Sequence, residues 1–486
     1  MAATGAAATA PVPVVRDDSR VIWLLLAAAF VAILNETTMG VAIPHLIVDL
    51  HITAVAAQWL TTAFMLTMAV VIPITGFLLQ RFTTRAVFIA AMSLFSLGTL
   101  LALVSPGFGM LVVARVVQAS GTAIMMPLLM TTLMTVVPPA SRGRMMGRVS
   151  IVIALAPAIG PSLSGYLLDN FTWRWNFGVV LPIALVALAV GAKWIHNVGE
   201  QTHAPIDPTS IVLSAFGFGG VVYGLSQIGA AGGADAGARL WMIGSLVVGV
   251  VALAAFLWRQ VRLQRVDDAL LDLRVFRSAN FSLSIGQMAV LSFAFFGAIT
   301  ALPLYLQDVH ELSAVESGLI LLPGALAMGL LGPLIGRIYD ARGTRVLLIP
   351  GSIVSAGVLW VYTALDATTP VWWIVVAQTL LSVGLALSFT PLFTASLASL
   401  TPKFYSYGSA VLGTVQQVAG AAGVAVMIAA MAAVSAAEGA APGSVTAAGT
   451  QTAFLIAAIV ALPIVVGAFV IRKPADDLDG AAAFDH

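Results

Sequence analysis

Long apolar runs recur along the chain at intervals of 25 to 40 residues, with short polar segments between them. Most runs approach the ~20 residues with which a helix crosses a bilayer. The pattern predicts membrane-spanning helices at 21–44, 54–79, 86–104, 110–137, 149–168, 177–195, 209–230, 240–258, 281–306, 317–338, 346–364, 371–394, 409–434 and 451–471. Fourteen spans predict an all-α integral membrane protein with both termini on one side of the membrane.

The first apolar run, 21–44, also has a length that suits a signal peptide. Its core is followed by the polar pair Asn35 and Glu36 and then by more apolar sequence. A signal peptide would have a small-residue cleavage site at this place. We therefore interpret the run as the first span.

Basic residues mark one face of the predicted membrane protein. Nineteen of the twenty-two lie on the side that carries the termini. Only Arg174 and Arg239 fall on the other face, and Arg115 lies within a span. The positive-inside rule therefore predicts cytoplasmic termini.

Composition narrows the class of function. Charged residues make up 9% of the 486 residues, whereas soluble domains carry about 25%. The net charge of +1 does not suggest a nucleic-acid partner, and the absence of cysteine excludes disulfides and thiolate metal sites. The sequence has no Gly-x-x-x-x-Gly-Lys loop for ATP, and we predict no cofactor or metal. A membrane-embedded enzyme or a receptor is the alternative to a transporter, although no catalytic constellation falls within a span.

Two segments of the chain repeat about 260 residues apart. The end of the first span, "IPHLIVDLHITAV", resembles the end of the ninth, "LPLYLQDVHELSAV", and pairs Asp49 with Asp308 and His51 with His310. The first loop, "GFLLQRFTTRAVFI", likewise matches "GRIYDARGTRVLLI". Internal repeats are typical of transporters whose binding site lies between the repeats.

The repeat is offset by eight spans, whereas two adjoining six-span halves would be offset by six. We therefore predict a 6+2+6 arrangement. Its parts are a cytoplasmic tail at 1–20, a six-helix bundle at 21–195, an inserted pair at 209–258, an amphipathic cytoplasmic linker at 259–280, a second six-helix bundle at 281–471 and a cytoplasmic tail at 472–486.

Four stretches carry recognisable patterns. "GRIYDARGTR" has the form Gly-x-x-x-Asp-x-x-Gly-x-Arg, and Gln80 replaces the aspartate in its first copy. "RVVQASG" in span 4 is similar to Arg-x-x-Gln-Gly-x-Gly, and "APAIGPSLSG" in span 5 to Gly-x-x-x-Gly-Pro-x-x-Gly-Gly. "WRWNF" is similar to an aromatic signature before span 6. Together they resemble the fourteen-span drug–proton antiporter branch of the major facilitator superfamily. The resemblance implies that family's fold and export of drugs in exchange for protons.

The span-5 pattern contains a ridge of small residues. Ala156, Gly160 and Ser164 are four residues apart, so they permit close approach of another helix. Pro161 bends the helix there, and Gly165 keeps the last glycine of the family pattern. The ridge is either a packing seam or a pivot between inward-open and outward-open states, and the resemblance favours the pivot.

The two loop copies suggest a gate at the cytoplasmic face. Simple topology anchors would explain their arginines equally well. In the sharper interpretation, the Asp340 carboxylate accepts hydrogen bonds from a neighbouring helix end or an arginine and holds the inner gate shut. The candidate gate residues of the loops are Gly76, Arg81, Arg85, Gly336, Asp340 and Arg345.

Glu36 and Arg115 are the two charged residues deep within spans. Such a charge costs roughly 2.5–3.5 kcal/mol on insertion scales and usually faces a cavity or a partner. At 1.5 Å per residue, Glu36 lies ~12 Å below Pro44 and Arg115 ~9 Å below Gly109, so the two are level. The family's Leu-Asp-x-Thr motif implies a proton-coupling carboxylate. Here Asn35 takes its position and the acid moves to Glu36. The alternative to a proton site is a buried ion pair that ties spans 1 and 4 together.

A substrate pocket is expected between the two halves. Methionine and aromatic side chains suit varied amphipathic ligands. The predicted lining contains Asn35, Gln118, Met125, Met126, Phe293, Phe296, Gln416 and Gln417. The expected small-molecule substrates are lipophilic, often cationic drugs or antibiotics. The alternative is one endogenous lipid, siderophore or secondary metabolite. The expected setting is a monomer in the lipid bilayer of the bacterial inner membrane, with protons as the coupling ion.

Overall fold

The computed structural model describes residues 18–198, 207–228, 236–440 and 444–474. These residues form fourteen α-helices: α1 (Asp18–Asp49), α2 (Ala54–Arg81), α3 (Thr84–Leu103), α4 (Phe108–Val136), α5 (Arg142–Asn170), α6 (Trp175–Trp194), α7 (Pro208–Ser226), α8 (Ala236–Leu263), α9 (Ala279–Asp308), α10 (Ala314–Arg342), α11 (Arg345–Tyr362), α12 (Val371–Ala398), α13 (Tyr405–Ala437) and α14 (Ala447–Val470). In the described chain, all fourteen are long and apolar enough to cross a bilayer. The predicted fold class is confirmed. Most of the two predicted tails lies outside the described residues.

Polar side chains set several helix starts. The Thr53 hydroxyl accepts a hydrogen bond from the backbone N–H of Ala56 at the start of α2. At the start of α10, Ser313 and Glu316 form a capping box. These caps satisfy N–H groups that the first helical turn leaves without partners. Short polar loops between apolar runs therefore specify where the helices begin.

The helices pack as two six-helix bundles with a pair beside their junction. Helices α1–α6 form the N-terminal bundle and α9–α14 form the C-terminal bundle, and the bundles meet chiefly where α5 packs on α10 and α2 packs on α13. Helices α7 and α8 pack closely through Gly220 and Gly249. Helix α7 also contacts α2 and α13, so the inserted pair touches both bundles.

One end of the molecule, called here the basic end, carries the start of every odd-numbered helix and the end of every even-numbered one. Most of the arginines lie at this end. The other end is called the opposite end. Placement of the basic end in the cytoplasm stays a prediction from the positive-inside rule.

The sequence repeat is visible in the backbone. Helix α1 ends at Asp49, and α9 ends at Asp308. In the loops that follow, the residues with left-handed backbone are His51 (φ 51°) and Glu311 (φ 55°). The second loop has one more residue before its left-handed position, and the sequence match between the two loops likewise contains a one-residue slip after His51 and His310.

Polar contacts anchor the inserted pair at the basic end. Arg259 of α8 donates to both carboxylate oxygens of Asp207, at 2.7 and 3.0 Å, just before α7 begins. The Arg259 guanidinium holds the pKa of Asp207 at about 2, below its usual range. Gln260 accepts a hydrogen bond from the backbone N–H of Leu271. The predicted linker at 259–280 thus begins inside α8 and is tied back to it.

Candidate functional site

A cavity lies between α1, α2, α4 and α13, at the junction of the two bundles. Together with the solvent space at its mouth, its volume is about 490 Å³. Methionine, amide and small apolar side chains form most of its wall, and Glu36 is the one ionisable residue among the described lining residues. The lining consists of Ala29, Ala32, Ile33, Glu36, Met68, Ile72, Thr122, Ala123, Met125, Met126, Pro127, Gly413, Gln416 and Gln417.

Two neighbouring residues of α1 face different surroundings at this level. Successive residues of a helix are about 100° apart. Glu36 therefore reaches the cavity wall, while the Asn35 side chain points into the N-terminal bundle toward Arg115. Asn35 is 1% exposed, whereas Glu36 is only half-buried. Helix α1 presents a neutral amide to the protein interior and a carboxyl group to the cavity.

Arg115 is 1% exposed and is held by neutral groups. Its Nη1 donates to Gln118 Oε1 at 2.6 Å and to Asn35 Oδ1 at 3.3 Å. Its Nε donates to the carbonyl oxygen of Leu60 at 3.5 Å. The guanidinium carbon lies 4.0 Å from the centroid of the Phe64 ring, in a cation–π contact. The Arg115 cluster, as the term is used below, consists of Arg115, Asn35, Leu60, Phe64, Thr99 and Gln118.

The Arg115 cluster ties α1 to α4 without a carboxylate. Among the described residues, the ion pairs join other side chains, and Glu36 takes part in none of them. Gln118 donates from Nε2 to Thr99 Oγ1 at 2.8 Å, which leaves its amide oxygen facing Arg115. The tie between α1 and α4 is therefore the hydrogen bond between Asn35 and Arg115, and Glu36 stays on the cavity wall.

Four of the eight residues predicted to bind substrate line the cavity. Met125, Met126, Gln416 and Gln417 line it together with Glu36. The remaining lining residues are neutral side chains in apolar spans, and their sequence positions carry no functional signal. Those that could contact a ligand through a thioether, hydroxyl, methyl or backbone group include Met68, Ile72, Thr122 and Gly413.

The other four predicted binding residues lie elsewhere. Asn35 and Gln118 belong to the Arg115 cluster. Phe293 and Phe296 lie on α9, outside the described lining of the cavity. The Phe296 ring packs edge-on against Phe295, with ring centroids 5.1 Å apart, and lies close to α13. A role of these four in substrate binding stays a prediction.

The small-residue ridge of α5 faces α1. A side chain at Gly160 would overlap Thr37, and the Ser164 hydroxyl donates to a carbonyl of α1 at 3.0 Å. Pro161 is exposed, and a side chain at Gly165 would project into open space. The ridge is a close contact within the N-terminal bundle, and its role as a pivot stays a prediction.

At the basic end, α5 and α10 meet backbone to backbone. A side chain at Gly336 would overlap the carbonyl of Gly143. The Asp340 carboxylate accepts hydrogen bonds from the backbone N–H groups of Gly143 and Arg144, each at 2.8 Å. These N–H groups belong to the first turn of α5, where unpaired donors and the helix dipole favour a negative charge. The carboxylate of one bundle thus caps a helix of the other.

The first copy of the loop makes a different contact with α13. An added Cβ at Gly76 would lie 3.2 Å from the side chains of Tyr407 and Ala410, so the approach is less close. Gln80 Nε2 donates to the carbonyl of Lys403 at 2.6 Å. Helix ends on this face carry the remaining predicted gate residues, Arg81, Arg85 and Arg345.

Side-chain hydrogen bonds add to the contact between the bundles. They lie in the parts of the helices nearer the basic end. The pairs are Thr131 with Ser409 at 2.8 Å, Ser150 with Thr390 at 2.7 Å, and Arg142 donating to Tyr405 at 3.2 Å. In this conformation, these bundle contacts lie between the level of the cavity and the basic end.

Comparison with known proteins finds bacterial transporters. The family model "Major Facilitator Superfamily" matches residues 25–424. The chain is 39% identical over 426 residues to the lincomycin resistance protein LmrB of Listeria monocytogenes, and the match covers 88% of each chain. It is 41% identical over 460 residues to the uncharacterized MFS-type transporter YcnB of Bacillus subtilis, covering 94% of this chain and 96% of that one. A multidrug resistance protein B homolog of Mycobacterium tuberculosis is 30% identical over 404 residues, covering 82% and 74%.

A solved transporter structure has the same overall fold as this chain. The transporter FucP in the outward conformation superposes with a TM-score of 0.61 at 16% identity, over 94% of this chain and 100% of that chain. The family match spans most of the chain, and the described helices form two six-helix bundles. The chain belongs to the major facilitator superfamily and is a transporter rather than an enzyme.

Proposed function

We propose that the protein is a proton-coupled antiporter that exports lipophilic, often cationic compounds across the bacterial cell membrane. The observation that carries the proposal is the position of Glu36, a carboxyl group on the wall of a methionine-rich cavity between the bundles. The names of relatives, lincomycin resistance protein and multidrug resistance protein B homolog, support drugs as the substrate class.

Glu36 is suited to hold either a proton or a cationic substrate. A carboxyl group takes up a proton more readily in apolar surroundings and releases it more readily near a cation. A cation in the cavity meets Glu36 as the one ionisable group of the described lining, so it competes with the proton for the same oxygens. Substrate from the cytoplasm displaces the proton inward, and a proton from outside displaces the substrate outward.

Arg115 makes this exchange depend on conformation. Its contacts within hydrogen-bonding distance are to neutral acceptors, so its positive charge is not cancelled by a carboxylate there. A motion of α1 relative to α4 changes the separation of Arg115 and Glu36. That change alters how readily Glu36 holds a proton on each side of the membrane.

Alternating access requires the basic end to open and close. We take the basic end as cytoplasmic, and the contacts of α5 with α10 keep it closed in this conformation. Opening separates the Asp340 carboxylate from the start of α5. Pro161 removes a backbone donor from α5, and with the open space at Gly165 it gives the helix a place to flex.

Proteoliposomes with an imposed pH gradient test the proposal, with lincomycin and a lipophilic dye cation as probes. The wild type accumulates a probe against its gradient. Glu36→Gln keeps the shape of the side chain but cannot titrate, so it should still bind probe and exchange it downhill while losing uphill accumulation. Glu316→Gln is the matched control, because glutamine preserves the capping box at the start of α10.

Uphill accumulation by Glu36→Gln would mean that another group carries the proton. A susceptibility panel in cells with and without the chain separates the substrate classes. Resistance to several unrelated lipophilic compounds supports drug export. Lack of any effect, combined with export of one compound made by the cell, would favour a dedicated exporter of an endogenous lipid, siderophore or secondary metabolite.

A further inference from the structure

The chain that follows α14 crosses the basic end and docks on the C-terminal bundle. The backbone N–H of Arg472 donates to Asn280 Oδ1 at 3.0 Å, and Asn280 Nδ2 donates to the Arg472 carbonyl at 3.0 Å. Asn280 Nδ2 also donates to Ser399 Oγ at 2.6 Å. These bonds fix the segment to the start of α9 and the end of α12.

Lys473 extends this docking to α10. Its Nζ donates to the carbonyl oxygen of Asp340 at 3.2 Å. Its stem lies beside Gly343, where an added Cβ would stand 3.4 Å from the Lys473 Cβ. Helix α10 ends at Arg342, so the Asp340 carbonyl belongs to the last turn, whose carbonyls have no partner within the helix. An ammonium group there supplies a hydrogen bond and offsets the negative end of the helix dipole.

The side chain of Asp340 connects the two bundles. The Asp340 carboxylate accepts the N–H groups of Gly143 and Arg144 at the start of α5. We infer that Lys473 is a positioning residue of the basic-end gate, the contact of α10 with α5 at the basic end. By capping the end of α10, it fixes the place from which the Asp340 carboxylate reaches α5. This inference goes beyond the proposed export function, and its test needs neither substrate nor a pH gradient.

The sequence offers matched variants for this test. Lys473→Met removes the ammonium group and keeps an unbranched stem, whereas Lys473→Arg keeps a cation. Arg472→Met removes the neighbouring positive charge. Arg472 docks through its backbone and its side chain is exposed. This variant therefore controls for the loss of charge alone.

The chain contains no cysteine, so Ser409→Cys introduces a single reporter thiol. Ser409 is 3% exposed and bonds Thr131 across the basic-end contact. In full-length protein in detergent, the rate of maleimide labelling measures how often this contact opens. Lys473→Met should accelerate labelling about two- to fivefold, the range expected for a cation at a helix C-terminus. Lys473→Arg and Arg472→Met should leave the rate of the reporter protein unchanged.

An Asp340→Ala background tests whether Lys473 acts through Asp340. Alanine keeps the backbone carbonyl but removes the carboxylate, so Lys473→Met should add no further acceleration there. Unchanged labelling of Lys473→Met, an equal acceleration by Arg472→Met, or a full additional acceleration in the Asp340→Ala background would each overturn the inference. If Lys473→Met is not recovered as a folded monodisperse species, Lys473→Gln takes its place with the same expected rates.

Discussion

Asn35 and Glu36 are adjacent on α1 yet occupy opposite electrostatic settings. Asn35 lies in the Arg115 cluster, where one cation is held by amides and a backbone carbonyl. Glu36 lies on the wall of a cavity whose other described lining residues are neutral. In the family that the sequence resembles, the acid stands at the position of Asn35. In this chain, one helical step separates the amide that contacts Arg115 from the carboxyl group on the cavity wall.

The largest effect should come from moving the carboxylate from one setting to the other. We expect the double variant Asn35→Asp/Glu36→Gln to lose pH-driven uphill export as completely as Glu36→Gln does. An aspartate at position 35 faces Arg115 and is buried, so it cannot exchange with a ligand in the cavity. Transport into proteoliposomes measures this. If Asn35→Asp restores uphill export to Glu36→Gln, a carboxylate at position 35 can also exchange with a ligand, and the claim that only position 36 does so is wrong.

Removal of the Arg115 cation should lower the stability of the fold, in addition to its proposed effect on the exchange at Glu36. Arg115→Met leaves the amide oxygens of Asn35 and Gln118 without their donor, and each buried unpaired acceptor costs about 1–3 kcal/mol. We expect a lower yield, a lower melting temperature and slower transport whatever the driving force. Thermal melting followed by size-exclusion chromatography measures the loss. A melting temperature for Arg115→Met at or above that of Glu36→Gln would contradict this division of roles.

A smaller effect should follow from loosening the edge of the Arg115 cluster. Thr99→Val removes the acceptor for Gln118 Nε2, so the amide that faces Arg115 loses its support. We expect a loss of about 1 kcal/mol in stability with coupling intact. Thr452→Val is the control, because its hydroxyl donates only within its own helix. Equal melting temperatures for the two variants would mean that the hydrogen bond from Gln118 to Thr99 does not stabilise the cluster.

Features that depend on local sequence were predicted well. Apolar runs are local features, so the fourteen helices follow from the sequence. Glu36 was a candidate because a carboxyl group in an apolar run is costly. Met125 and Gln416 were candidates for the lining of a substrate pocket expected between the two halves.

Features that depend on the rotation of one helix against another were not predicted. The sequence placed Glu36 and Arg115 at the same depth, but only the packed bundle determines that Asn35, 100° away, faces Arg115. Likewise, Phe296 lies on the expected helix, yet its ring packs against Phe295 outside the cavity lining. Depth along a helix can be counted from residue numbers, whereas the face that meets a cavity depends on contacts between distant segments.

Infrared difference spectroscopy of the reconstituted protein tests the central claim most directly, because it observes the protonated carboxyl group itself. The account predicts that a cationic substrate removes a protonated carboxyl band from the wild type and from Asn35→Ala, and that this change is absent in Glu36→Gln. Loss of the same band in Glu36→Gln would contradict the claim that the proton and the substrate exchange at Glu36.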